Sequence, residues 1–249
     1  MTKIISFIKS FKRYLKSTYW LFRLIYRNRN KRIGSVIKRD IGLFENVHIL
    51  CPGGSLDHIL GAKIEKNSLI ICVNHAINIC DIKSLDGFTK IAFTADIPRA
   101  KEIINKGNNK LDQCIPILYP ILLFSLNQEV LDNYKYIFNI WPSFDKKLGL
   151  IADAFKNFEQ IKPPNTVFRH FGYGSLNAAL IFSLIFEPKQ INFWGCDFYS
   201  SKEKLYFEST GGQKYAYDVD FSFYEKKIKK DFNLIKKHFN YLDIEFTFH

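Results

Sequence analysis

Ser175, Asp197 and Tyr199 are the residues of this chain whose types and spacing best suit binding chemistry at a single place. Phe168-Arg169-His170-Phe171-Gly172-Tyr173-Gly174 reads as a small-residue turn leading into Ser175. An apolar run from Ser175 to about Phe186 predicts a buried helix, Glu187-Pro188 a turn, and the segment from Ile191 a short strand. That strand delivers Asp197 and Tyr199 just past its carboxyl end, where open α/β sheets bind ligands. A tyrosine there offers a ring for stacking and a hydroxyl donor. Arg169 could pair with a phosphate or carboxylate, and His170 could serve as a base or phosphate contact. Each has a plainer reading. Ser175 is also a good helix N-cap, Asp197 could simply hold its turn, and Arg169 could form a surface ion pair.

Other polar residues fall at equivalent places. Asn46 to Cys51 is a short apolar strand followed by Pro52-Gly53-Gly54-Ser55-Leu56-Asp57, a glycine turn and helix start. Free backbone N–H groups of Gly53, Gly54 and Ser55 could hold an anion there. The turn is neither a dinucleotide fingerprint nor a P-loop, because it lacks G-x-G-x-x-G and a following Gly-Lys-Ser/Thr. Ser68 to Val73 forms a second strand ending in Asn74-His75, and Thr89 to Thr94 a third ending in Ala95-Asp96. In a parallel sheet these endings converge on one edge.

The rest of the chain must position or cover that edge. Residues 105–112 read as a loop, and 115–126, interrupted by Pro116 and Pro120, as buried irregular structure. Tyr136 to Trp141 suggests a strand and Lys146 to Phe158 a helix. Residues 200–221 are polar, with Gly211-Gly212 and Tyr206, Tyr215 and Tyr217, the composition of a mobile lid. Residues 222–240 form a Lys-rich amphipathic helix and 244–248 a last strand. The fold class is therefore α/β, an open, mostly parallel sheet with helices on both faces and a lid.

Charge divides the chain differently. Twelve Lys and Arg residues against Asp40 alone give residues 1–40 a charge of +11, nearly all of the net +12. Apolar Ile4, Ile5, Ile8, Phe11 and Leu15 alternate at helical spacing with Lys9, Lys12, Arg13 and Lys16. No stretch of about 18 uncharged residues is present, so the segment does not read as a membrane span or as a secretory signal. Through residues 1–32 it reads as a helix lying on an anionic membrane surface, with packing on the body or an RNA-binding arm as alternatives. The domain expectation is a basic arm over 1–40 and a catalytic body over 41–249. Five cysteines without close pairs or zinc-ligand spacing describe neither a disulfide framework nor a metal site. They fit a reducing cytoplasm, which places the protein peripherally on the inner face of the membrane.

Taken together, these motifs resemble the bacterial lipooligosaccharide sialyltransferases. Cys51-Pro52-Gly53-Gly54-Ser55-Leu56 is similar to that family's first turn, and Val73-Asn74-His75 to the end of its second strand. Gly174-Ser175-Leu176 through Trp194-Gly195-Cys196-Asp197-Phe198-Tyr199 matches its central element without a gap. The resemblance implies a Rossmann-like, GT-A-variant core with a lid, and inverting transfer of an acid sugar from a CMP-activated donor. It implies a glycan or glycolipid acceptor, no metal or other cofactor, and no nucleic-acid partner; a homo-oligomer is allowed. By position, Asn74 and Ser175 would contact the cytidine and phosphate, and Tyr199 and Tyr206 would donate to the departing phosphate. Pro52 stands where the family has asparagine, and no histidine lies between Tyr199 and Lys237 to act as base. Asp218 and Asp220 occupy that region instead. The Pro-Gly-x-Ser-Leu turn also resembles a related family sharing the core, which includes diphosphokinase-like proteins and flagellin-modifying glycosyltransferases. Some Kdo (3-deoxy-manno-octulosonic acid) transferases share a similar core. A diphosphokinase-like enzyme, or a protein that only binds a nucleotide sugar, is the alternative.

Overall fold

The computed structural model of the protein describes residues 8, 11–12, 15–16, 19, 33–80, 82–95, 97–105, 114–118, 127–137, 175–197, 225–226, 229–230, 232–233, 236 and 243–249. Seven strands are present among them: β1 (Asn46–Leu50), β2 (Ser68–Val73), β3 (Thr89–Thr94), β4 (Ile115–Leu118), β5 (Tyr136–Ile137), β6 (Gln190–Trp194) and β7 (Glu245–Phe248). They form one sheet in the order β5-β4-β3-β2-β1-β6-β7, and every pairing is parallel. The expected open parallel sheet is thus present. Parallel strands are covered on both faces and so tolerate continuous apolar runs; all six residues of β2 are buried.

Alternate residues feed two cores. Val47, Ile49, Leu69, Ile71, Ile91, Phe93, Ile191 and Phe193 face one side. There they meet α1 (Ile33–Ile41), through buried Ile37, and the apolar helix α4 (Ser175–Ser183) with its 3-10 extension Leu184–Phe186. Glu225, Lys226, Lys229, Lys230, Phe232, Asn233 and Lys236 are helical, within the helix expected over 222–240. Phe232 closes this core with its ring 5.5 Å from Phe193. Leu50, Ile70, Cys72, Ala92 and Trp194 face the other side. Three 3-10 helices cover that side, Gly54–Gly61, Asn74–Ile79 and Lys83–Leu85, together with Ile103 of α2 (Ile97–Asn105).

Several local outcomes differ from the sequence expectation. Ile115–Leu118, expected to be irregular, is strand β4. Pro116 lies in register with Ala92 of β3, while β5 pairs among the described residues with Ile117 and Leu118. The helix start after Ser55 is 3-10, not α. Residues 33–40, expected as part of the basic arm, lie in α1 and join the body through Ile37 and the Lys38–Glu187 ion pair. Two further helices were not anticipated: α2, whose second residue is Pro98, and α3 (Gln128–Asn133). Asn127 caps α3, its side-chain oxygen accepting from Val130 N at 3.1 Å. The lid expected at about 200–221 and the helix over 146–158 lie outside the described residues.

Candidate functional site at the strand carboxyl ends

The chain runs β1 to β5 in one direction across the sheet, then crosses back to place β6 and β7 on the other side of β1. The topological switch point therefore lies between β1 and β6, and a crevice opens beyond their carboxyl ends. Both strand ends are glycine turns, and the two turns interlock. Cys51 N donates to Trp194 O at 2.8 Å and Gly53 N to Gly195 O at 3.0 Å, extending the ladder past the last strand residues. A Cβ on Gly53 would lie 2.2 Å from Gly195 O, and one on Gly195 would lie 2.2 Å from Cys51 O. Gly195 also holds φ +65°, which disfavours any side chain.

Asp197 fastens the second layer of this clasp. Its carboxylate accepts from Ser55 N at 2.9 Å and from Ser55 Oγ. The N–H groups of Gly53 and Ser55 are therefore engaged within the protein and differ from the free anion-binding N–H groups expected of this turn. A carboxylate already at the turn also disfavours a second anion there. In this geometry Asp197 positions the β1 turn against the β6 turn. The structural importance of Gly195 was not drawn from the sequence; its signal was a glycine immediately after an apolar strand.

A second pair of polar side chains stands at the end of β2. Asn74 adopts φ 53°, the left-handed conformation that asparagine tolerates better than most residues. Its Nδ2 donates to Ser175 Oγ at 3.0 Å, joining residues 101 positions apart in sequence. Ser175 is nearly buried as the first residue of α4, whose N-terminus carries the positive end of the helix dipole. Asn74 Oδ1 is buried and has no partner among the described residues. An unmet buried carbonyl is costly. His75, next in sequence, is buried.

Neighbouring thiols are held in their neutral form. Burial and then the Cys51 thiol push the Cys196 thiol well above its ordinary range, and its Sγ donates to Trp194 O at 3.7 Å. Contact with Cys72, together with burial, pushes Cys114 up. All five cysteines are free, as their spacing suggests. No group of three His, Cys, Asp or Glu side chains is arranged to hold a metal ion among the described residues. Gly53, Gly54, Ser55, Asn74, His75, Ser175 and Asp197 are thus assembled along the carboxyl ends of β1, β2 and β6. Arg169, His170, Gly174, Tyr199, Tyr206, Asp218 and Asp220 lie outside the described residues.

No protein-family model matches this sequence, and no curated protein sequence matches it. Two solved structures share a partial likeness. One is the monofunctional alpha-2,3-sialyltransferase Cst-I from Campylobacter jejuni, with a TM-score of 0.46 and 15% identity over 82% of this chain and 75% of that one. The other is the sialyltransferase CstII from Campylobacter jejuni in complex with a substrate analogue, cytidine-5'-monophosphate. It gives a TM-score of 0.48 and 14% identity over 83% of this chain and 80% of that one. Likeness of this size does not establish a shared function.

Proposed function

We propose that this protein is an inverting glycosyltransferase that takes a CMP-activated acid sugar, sialic acid or Kdo, to a hydroxyl of a glycan or glycolipid. The observation carrying this reading is the Asn74–Ser175 pair, with its buried, unpartnered Oδ1 at the carboxyl edge of a parallel sheet. The cytosine amino group or a ribose hydroxyl supplies the donor that Oδ1 lacks. Ser175 Oγ already accepts from Asn74, which leaves its own O–H to donate to a phosphate oxygen near the α4 N-terminus. The motif resemblance across Gly174 to Tyr199 supports the same assignment.

The acceptor oxygen attacks the anomeric carbon, the bond from that carbon to the CMP phosphate oxygen breaks, and configuration inverts. Negative charge develops on the departing phosphate, where Tyr199 and Tyr206 are suited to donate as neutral groups. The acceptor proton passes to a base, for which Asp218, Asp220 and His170 are the candidates.

One sequence feature favours a second reading. Asp218-Val219-Asp220 is an Asp-x-Asp triplet, and paired carboxylates are the usual means of holding Mg²⁺ beneath a diphosphate. It favours a metal-dependent enzyme on the same core, such as a diphosphokinase-like one. Release of CMP from CMP-sialic acid or CMP-Kdo, followed with an acceptor glycan in EDTA and then in added Mg²⁺, separates the two. The proposal expects equal turnover in both. Activity only with Mg²⁺ and ATP or a nucleoside diphosphate sugar supports the second reading and removes the first.

A further inference from the structure

Ile8, Phe11, Leu15 and Tyr19 are helical, and each is about half or more exposed, at 57%, 54%, 52% and 54%. At 100° per residue these four positions fall within an arc of roughly 80° on one side of a helix. Lys12 and Lys16, also helical and exposed, follow along one border of the stripe. Exposed large apolar side chains in register are uncommon on a surface that meets only water. The surrounding segment, residues 1–40, carries +11 with Asp40 as its only acid.

We propose that this stripe docks on an anionic lipid surface, its apolar side chains entering the headgroup boundary and its lysines meeting lipid phosphates. The charge distribution selects this occupant. A second copy of the chain would bring another segment of +11 against the first, with no acidic side chain in register to pair with it. A nucleic acid would satisfy the lysines and leave Ile8, Phe11 and Leu15 in water. An anionic bilayer satisfies both halves of the pattern at once, in the way of amphipathic helices lying in the membrane plane. Tyr19 adds an aromatic side chain of the kind that favours the headgroup level. Among the described residues no helix is long and apolar enough to cross a membrane.

Sedimentation of the full chain with phosphatidylcholine vesicles, with and without about a third phosphatidylglycerol, tests this, since each basic residue near such a surface contributes roughly fivefold to partitioning. Binding is expected to the anionic vesicles and to weaken as salt rises. Lys12→Glu with Lys16→Glu should reduce partitioning roughly thirtyfold or more. Phe11→Ser with Leu15→Ser should abolish it, and an unchanged melting temperature would show that the body of each variant is intact. Equal binding to vesicles with and without phosphatidylglycerol overturns the proposal. So does a dimer that Phe11→Ser with Leu15→Ser splits in a chain that ignores vesicles. RNA binding that survives those substitutions, again without vesicle binding, overturns it as well.

Discussion

At Asn74 one residue meets two separate demands, a left-handed backbone at φ 53° and a carboxamide bridging to Ser175. Two substitutions separate them. Asn74→Gly keeps the backbone at little cost and removes the bridge, whereas Asn74→Ala adds roughly 1 kcal/mol of backbone strain. Urea unfolding should therefore place the alanine variant below the glycine variant; the reverse order would mean that the conformation at position 74 does not require a left-handed residue. His48 makes a different kind of prediction. Its Nδ1 accepts from Trp194 Nε1 at 3.1 Å, which leaves the ring proton on Nε2, 3.5 Å from Glu65. Burial lowers His48 to about 4, opposed by Glu65 and assisted by His249, whose own value is lowered too. Protonation at Nδ1 would also set two N–H groups against each other. Between the unfolded value near 6.5 and the folded value near 4, the unfolded chain binds more protons. Stability is therefore complete above about pH 6.5 and falls by about 3 kcal/mol as the pH approaches 4. His48→Gln should flatten that part of the profile, measured as urea midpoints against pH; an unchanged slope would assign the effect to other groups.

The glycine clasp and helix α4 govern the next scale. Because a methyl group at Gly53 or Gly195 would meet backbone at 2.2 Å, the two turns cannot both keep their places. Gly195→Ala also carries the cost of φ +65°, so it should destabilise by roughly 3 kcal/mol or more, with Gly53→Ala close behind. Losses under about 1 kcal/mol in denaturant unfolding would mean that the turns are not interlocked. Helix α4 is enclosed, with all its residues but Leu176 buried: Phe182 lies 5.1 Å from Phe93 of the sheet and 5.4 Å from Phe186 in ring-to-ring distance. Phe182→Ala should cost about 3–5 kcal/mol. Much of this scale was legible in sequence. Strands β1, β2, β3 and β6 stood out as continuous apolar runs ended by polar or glycine turns, and α4 as an apolar segment behind a serine. Strand β4 was hidden by Pro116, a residue that reads against a strand because it cannot donate to the ladder. Helix α1 was obscured by the basic run that precedes it and helix α2 by Pro98 at its second position. The start of α3 carries a sequence signal in Asn127, a residue type favoured at helix N-caps.

For the whole molecule, charge and topology divide the work. The sheet order puts a single switch point between β1 and β6, and residues far apart in sequence meet along that edge. Residues 41–249 carry only +1, so nearly all of the net positive charge belongs to the amino-terminal segment. That convergence follows from parallel strands alone. The bond from Asn74 to Ser175 does not, since nothing in local patterning sets the distance between two strand-end residues 101 positions apart. Nor does patterning show that Ser55 and Asp197 satisfy each other, which turns an expected anion cradle into a clasp. In the proposed transferase the unmet Asn74 carbonyl receives the cytidine moiety of the donor. Isothermal titration of CMP, UMP and GMP into the full chain and into Asn74→Gly tests it most directly. CMP should bind preferentially to the wild-type chain, and Asn74→Gly should weaken it about tenfold, the value of a buried hydrogen bond, with only the small fall in melting temperature that loss of the Ser175 bridge brings. CMP affinity unchanged by Asn74→Gly, or no binding of CMP at all, would contradict the assignment.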